Sequence, residues 1–254
     1  MKLESILQYL DIYLAVAEHP DYAAALNGLQ VAGPQEQEIE QVVVAVDATE
    51  ASIAEAAERG ADLMIVHHGL FWGGLEPLTG RHFRKVRMLI EGGIALYSCH
   101  LPLDSHAEVG NCALLARALG LELQGQFGDY NGTPIGWWGT LADATTPSGL
   151  SAQLSEVLDA PIHLIEGGPE HVERVGVLTG GGASFVQDAI AAGLDALVTG
   201  EGSHHSHFDA VELGITMLFG GHYATETFGV RALGLHLEQR FGLPWQFVDQ
   251  PTGL

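Results

Sequence analysis

The chain has 254 residues, 47% of them hydrophobic, which is enough to bury a core without a disulfide framework and too apolar for intrinsic disorder. Its 32 acidic side chains against 10 basic ones give a formal charge of −22, so nucleic-acid binding, which draws its affinity from neutralised phosphates, is not expected. No run approaches the roughly 20 apolar residues of a bilayer span, Glu4 and Asp11 interrupt any signal-peptide core, and the isolated Cys99 and Cys112 suit a reducing compartment; the sequence predicts a cytoplasmic protein with no membrane partner.

Apolar residues at helical spacing over residues 3 to 17 predict an opening amphipathic helix. The β-branched run at residues 42 to 46 is too short for a helix and reads as a strand buried on both faces. A helix over residues 49 to 59 follows, with Thr49 at its start and Gly60 at its stop, and then a second buried strand over residues 63 to 66. That strand runs into His67-His68-Gly69, at the carboxyl end where α/β sheets place their chemistry. Beyond it, residues 95 to 97 lead to His100.

The same order returns later in the chain. Residues 175 to 178, 183 to 192 and 194 to 198 repeat strand, helix and strand, with Gly60 and Asp62 matched by Gly193 and Asp195 at a shift of 133. Residues 217 to 219 end at His222 as residues 95 to 97 end at His100. Each histidine is followed four positions on by an acid, Asp104 or Glu226. Both halves then enter a helix containing the identical pentapeptide Arg-Ala-Leu-Gly-Leu, at 117 to 121 and 231 to 235, followed by a strand-like segment. The expected fold is α/β, with two similar lobes produced by internal duplication and a cleft between them. The first lobe spans residues 1 to 128, the second residues 173 to 254, and residues 129 to 172 form a Gly- and Pro-rich connector with one helix near residues 150 to 158.

Thirteen histidines make their placement informative, because imidazole is the commonest protein metal ligand. Alone, His67-His68 reads equally well as two polar residues at a strand end. His222 and Glu226 stand four apart at the start of a helix, so their side chains share a face. If duplication sets these groups opposite one another, His67, His68 and His222 supply nitrogen while Asp104 and Glu226 supply oxygen. Five donors exceed one tetrahedral site and suit two divalent ions about 3.5 to 4 Å apart with one bridging carboxylate. Donors without thiolate favour Zn, Fe, Mn, Co or Ni and do not choose among them.

These residues carry a resemblance. Residues 66 to 72 (VHHGLFW), His100-Leu-Pro-Leu-Asp104, Asn27-Gly-Leu-Gln-Val31, Thr179-Gly-Gly-Gly182, Thr199-Gly-Glu201 and residues 221 to 226 (GHYATE) together resemble the NIF-three-like family, whose members are described as type 2 GTP cyclohydrolase I homologues. The likeness covers nearly the whole chain and rests on several motifs in one order. It implies His68 and Asp104 on one ion, His67 and His222 on the other, Glu226 bridging them, and a toroidal homohexamer. The function expected is a metal-dependent hydrolase of a small molecule, cyclohydrolase- or phosphoesterase-like, using a metal-bridging hydroxide. The alternative is a non-catalytic metal-binding protein, metal chaperone or interaction protein that forms a ring.

Other side chains are candidates for supporting roles. His100 mirrors His222 without being a family ligand and reads as a proton relay or as support for a ligand. Asp47, at the end of a strand, reads as a group orienting a metal-bound water or as an ordinary residue at a helix start. Glu201 and His205, in a cluster with His204 and His207, are candidate substrate contacts or part of a solvated loop. The glycine run after Thr179 offers backbone N–H groups that could cradle a phosphate.

Overall fold

Residues 42–46 are almost fully buried because they form an inner strand of a parallel sheet in the computed structural model, which describes residues 1–253. The chain divides into two compact units: Met1–Leu103 with Gly229–Gln250, and Asp104–Phe228 with the last residues from Pro251. Each has its own sheet. Among the described residues no helix is long and apolar enough to cross a membrane.

The first unit contains α1 (Leu3–Tyr13), β1 (Gly28–Val31), β2 (Val42–Asp47), α2 (Glu50–Glu58), β3 (Leu63–His68), α3 (Gly80–Gly92) and β4 (Ala95–Ser98). Its sheet has the order β1-β4-β3-β2-β11, the last strand (β11, Trp245–Phe247) coming from the far end of the chain. Strands β4, β3, β2 and β11 run parallel, and β1 closes one edge antiparallel. The continuous apolar runs are explained by this position, since a parallel strand covered on both faces has no side to give to water. Each fully buried Val or Ile of β2 and β3 contributes about 1.5–3 kcal/mol. Helix α2 starts where Thr49 and Ser52 exchange hydrogen bonds, each side-chain oxygen accepting the other's backbone N–H at 2.9 Å. The opening helix is shorter than its apolar spacing predicts. It stops at Tyr13, and Ala15 takes a positive φ of 50° that turns the chain away.

The second unit takes up the chain within α4 (Leu101–Ser105) and continues through α5 (Asn111–Ala118), β5 (Glu122–Tyr130), β6 (Thr133–Thr145), α6 (Pro147–Leu158), β7 (His163–Ile165), β8 (Val172–Val177), a 3-10 turn (Gly182–Phe185), α7 (Val186–Ala191), β9 (Ala196–Thr199), α8 (Ser206–Leu213), β10 (Thr216–Phe219) and α9 (His222–Thr225). Its sheet is β5-β6-β8-β9-β10-β7, with β8, β9 and β10 parallel. Helix α10 (Thr227–Phe241) then leads back into the first unit and delivers β11.

Two further expectations from the sequence need correction. The segment from residue 129 to 172, read as a connector with one helix, also holds β6 and β7 and supplies two strands to the second sheet. Asn131-Gly132, both at positive φ, makes the two-residue turn of the β5–β6 hairpin; this Asn-Gly signal was visible in the sequence but obscured by the surrounding glycines. The shared pentapeptide also has two different conformations. In its first copy the helix ends at Ala118 and Gly120 turns the chain with φ +74°, whereas the second copy lies inside α10. There Gly234 is pressed against the Trp245 indole, which a Cβ would meet at 2.5 Å. Neighbours, not the five residues, decide where the helix stops. The strands that follow accordingly join different sheets, β5 antiparallel to β6 and β11 parallel to β2.

Candidate functional site

In the first unit the carboxyl ends of β2, β3 and β4 bring Asp47, His67, His68, Cys99 and His100 to one sheet edge. Both histidines belong to the strand itself, and the chain turns only after them. His67 is fully buried, with Nδ1 3.0 Å from the Cys99 carbonyl oxygen after β4, while His68 has Nδ1 3.0 Å from Asp47 Oδ1 on β2. One ring is thus held from each neighbouring strand, and their centroids lie 4.6 Å apart. His100 Nδ1 stands 2.8 Å from Asp21 Oδ1. An oxygen acceptor at Nδ1 requires the proton there, so in the neutral ring Nε2 carries the lone pair. One potential ligand atom from each of His67, His68 and His100 falls within 4.8 Å of the others.

His100 is fixed by residues far away in sequence. Its backbone N–H donates to Asn27 Oδ1 at 2.8 Å, Asn27 Nδ2 donates to Asp21 Oδ2 at 2.8 Å, and the Leu101 N–H donates to the same oxygen at 2.9 Å. Burial pushes the Asp21 carboxyl upward, but the donors His100, Asn27 and Leu101 outweigh it and hold its pKa below the usual carboxylate range. Asp47, considered as a group orienting water, instead has its carboxylate on His68, and Thr49 caps the following helix.

The second unit repeats the plan at the carboxyl ends of β8, β9 and β10, which lead to Thr179-Gly180, Gly200-Glu201 and Gly221-His222. His222 Nδ1 lies 2.9 Å from Glu201 Oε1, and its Nε2 lies 3.2 Å from Glu226 Oε2. The Glu226 contact, opposed by burial and reinforced by Glu201, raises the His222 pKa to about 9. Asp104 Oδ1 accepts from Asn111 Nδ2 at 2.8 Å and from Thr179 Oγ1 at 3.1 Å. Asp104 and Glu226 are 5% and 2% exposed, and carboxylates so thoroughly removed from water suit a cation, as the protonated His222 favoured by Glu226 illustrates.

Gly180 makes room for this arrangement. With φ +61°, it stands where a Cβ would lie 2.0 Å from Glu226 Oε1 and 3.2 Å from His222 Nε2. The glycine run does not present itself as a phosphate cradle, however: the Gly180 N–H donates to Thr225 Oγ1 and the Gly182 N–H to Thr199 Oγ1. Glu201, a candidate substrate contact, has its Oε1 on His222. His205 sits at the exposed start of α8 beside Ser203, and His204 and His207 pack edge-on to Phe208.

A model of the family described as Duf34/NIF3 (NGG1p interacting factor 3) matches residues 1–252. The chain belongs to the DUF34/NIF3 family. A relative from Halobacterium salinarum named "GTP cyclohydrolase 1 type 2 homolog" is 47% identical over 238 residues, covering 92% of this chain and 93% of its own. A Deinococcus radiodurans protein of the same name is 42% identical over 251 residues, covering 99% and 94%. Among solved structures, TTHA1606 from Thermus thermophilus superposes with a TM-score of 0.88 at 40% identity, with both chains fully covered. For a DUF34/NIF3 chain, then, the histidines of both sheet edges share one feature that the motifs alone did not reveal. His67, His68, His100 and His222 each have an oxygen acceptor on Nδ1 at 2.8–3.0 Å. Asp21, Asn111 and Thr179 escaped the sequence reading as supporting residues because nothing in their local spacing indicates which side chain they hold.

Proposed function

We propose that the protein is a metal-dependent hydrolase of a small molecule, in which His67, His68, Asp104, His222 and Glu226 hold two divalent ions drawn from Zn, Fe, Mn, Co or Ni. The observation that carries this reading is the common anchoring of the histidines. A ligand imidazole characteristically gives its other ring N–H to a carboxylate or carbonyl, which fixes the tautomer and raises the basicity of the coordinating nitrogen. His67, His68 and His222 are held in this manner by Cys99 O, Asp47 and Glu201. The donor set of imidazole nitrogen and carboxylate oxygen fits such ions, and the space left by Gly180 lets Glu226 stay beside His222.

Bound ions of this kind act as Lewis acids and lower the pKa of water toward neutrality. The chain's own residues do the rest. Asp47 and Glu201 orient their imidazoles, Asn111 and Thr179 fix Asp104, and the Asp21–His100 pair forms a hydrogen-bonded couple suited to moving a proton at the edge of the first sheet. The name that the homologues carry, GTP cyclohydrolase 1 type 2 homolog, supports a heterocycle or nucleotide substrate as the class to test first; self-association as a homohexamer is what the motif resemblance implies.

Elemental analysis of the purified protein and of Glu226→Gln provides the test. The reading expects about two ions per chain, a lower content in the variant, and metal-dependent turnover in a screen of phosphoesters, cyclic amides and GTP. Unchanged stoichiometry in Glu226→Gln removes its bridging role. Reversible metal uptake without turnover of any class favours a carrier or scaffold over an enzyme. Light scattering should give a mass six times that of the chain.

A further inference from the structure

Helix α3 concentrates positive charge in a chain that has little of it. Arg81, Arg84, Lys85 and Arg87 lie within its 13 residues, four of the ten basic residues in the whole sequence. Two are neutralised. Arg84 makes a two-point contact with Glu50, both hydrogen bonds at 2.7 Å, and Arg87 meets Glu91 at 2.8 Å. Among the described residues, Arg81 and Lys85 make no ion pair within 4 Å, although acids outnumber bases about three to one. Spaced by four, they share a helix face and repel each other. Burial, together with Arg81, holds the Lys85 pKa below its usual value against the opposing pull of Glu50, Asp47 and Glu76.

That face borders a pocket of about 190 Å³ lined by Thr49, His68, Trp72, Glu76, Arg81 and Lys85. Asp47 also borders it, but its carboxylate is committed to His68, and Glu76 lies on the exposed segment beside Gly73. Thr49 brings the positive end of α2 to the same wall. Trp72 is 37% exposed and stands edge-on to His68 and His100, at 5.5 and 4.7 Å between centroids. A cavity therefore runs from two cations that lack a close ion-pair partner, past an aromatic ring, to a histidine proposed above as a metal ligand.

We propose that this pocket binds the phosphate group of a small anionic molecule, with Arg81 and Lys85 as its contacts and the rest of the molecule extending along Trp72 toward His68. A pair of neighbouring cations matches a phosphate dianion better than a single carboxylate, because one ligand group then compensates both charges and relieves their repulsion. The net charge of −22 sharpens the assignment, since a strongly acidic surface disfavours non-specific anion binding and leaves a saturable isotherm to report on the local pair. That the ligand is a substrate rests on the hydrolase reading; the anion site itself does not.

Titration calorimetry with pyrophosphate at about 0.15 M salt, where screening limits the reach of distant charge to about 8 Å, tests the site on protein stripped of metal and freed of chelator. Wild-type protein should bind saturably and prefer pyrophosphate to succinate. Arg81→Gln and Lys85→Gln should each weaken binding by about tenfold or more, while Arg87→Gln on the same helix should bind as wild type. Absence of wild-type binding, equal binding of succinate, or unchanged affinity in both pocket variants overturns the proposal. Metal content measured on the same unstripped preparations separates the two readings. Pyrophosphate binding in a protein that takes up no metal sinks the hydrolase and leaves the anion site standing, and the reverse result sinks only the site.

Discussion

Asp62 and Asp195, 133 positions apart, perform the same task. Asp62 Oδ2 accepts the backbone N–H groups of Glu40 and Gln41 at 2.8 and 3.0 Å, and Asp195 Oδ2 accepts those of Glu173 and Arg174 at 2.9 and 2.8 Å. Each aspartate ties the start of its own strand to the entry of the parallel strand beside it, and the spacings of 22 and 21 residues are identical in the two units. The internal repeat is therefore built into the hydrogen bonding as well as the sequence. Replacing either aspartate with Ala should cost about 1–3 kcal/mol by chemical denaturation, because two backbone donors lose a charged acceptor. Asn should restore part of that stability. Neutral Ala variants would show that water serves these N–H groups equally well.

Gly180→Ala separates the requirements of the fold from those of the ligand set. Its positive φ costs about 1 kcal/mol for a residue with a Cβ, and that Cβ would lie 2.0 Å from Glu226 Oε1. The expected outcome is a modest fall in melting temperature with metal affinity reduced by about 10- to 100-fold, the range seen when support around a ligand is disturbed. Metal affinity equal to wild type would mean that Glu226 has room to move or is not a ligand.

In metal-free protein, His222 should act as a stabilising cation. Its pKa is raised from 6.5 to about 9 in the fold, chiefly by Glu226, so the protonated ring is favoured in the native state. That contribution is complete below pH 6.5 and disappears as pH rises through 9. The stability difference between wild type and His222→Asn, followed by denaturant titration after chelation, should shrink across this window. A difference independent of pH would contradict the pairing with Glu226 and Glu201.

The thiols should be inert in the native protein. Cys99 and Cys112 are both fully buried, and burial, with Asp104 nearby, pushes the Cys112 thiol up to about 12. Because the thiolate is the reactive form, a colorimetric thiol reagent at pH 8 should count none before denaturation and both after it. Rapid labelling of the folded protein would place at least one of them in contact with solvent.

Removing metal should lower the melting temperature of wild-type protein, since binding to the native state alone adds stability in proportion to the logarithm of ion concentration over its dissociation constant. The same treatment should have a smaller effect on Glu226→Gln. Equal shifts in both proteins would indicate that the stabilising ion lies elsewhere.

The parallel cores follow from the local sequence alone, because continuous apolar runs such as residues 42–46 and 63–66 have few solutions other than a strand covered on both faces. The side chains at the strand tips follow from it too, since His67 and His68 end one such run and His222 comes two glycines after another. How the rings are held depends instead on contacts between distant segments. Asp21 reaches His100 across 79 residues and Thr179 reaches Asp104 across 75, contacts set by the fold that leave no local periodicity. The Arg-Ala-Leu-Gly-Leu pentapeptide marks the boundary between the two kinds of information. Five identical residues end one helix and continue another, because helix propensity is worth less than 1 kcal/mol per ordinary residue and about 1 for glycine, while packing Gly234 against Trp245 is fixed by the rest of the fold.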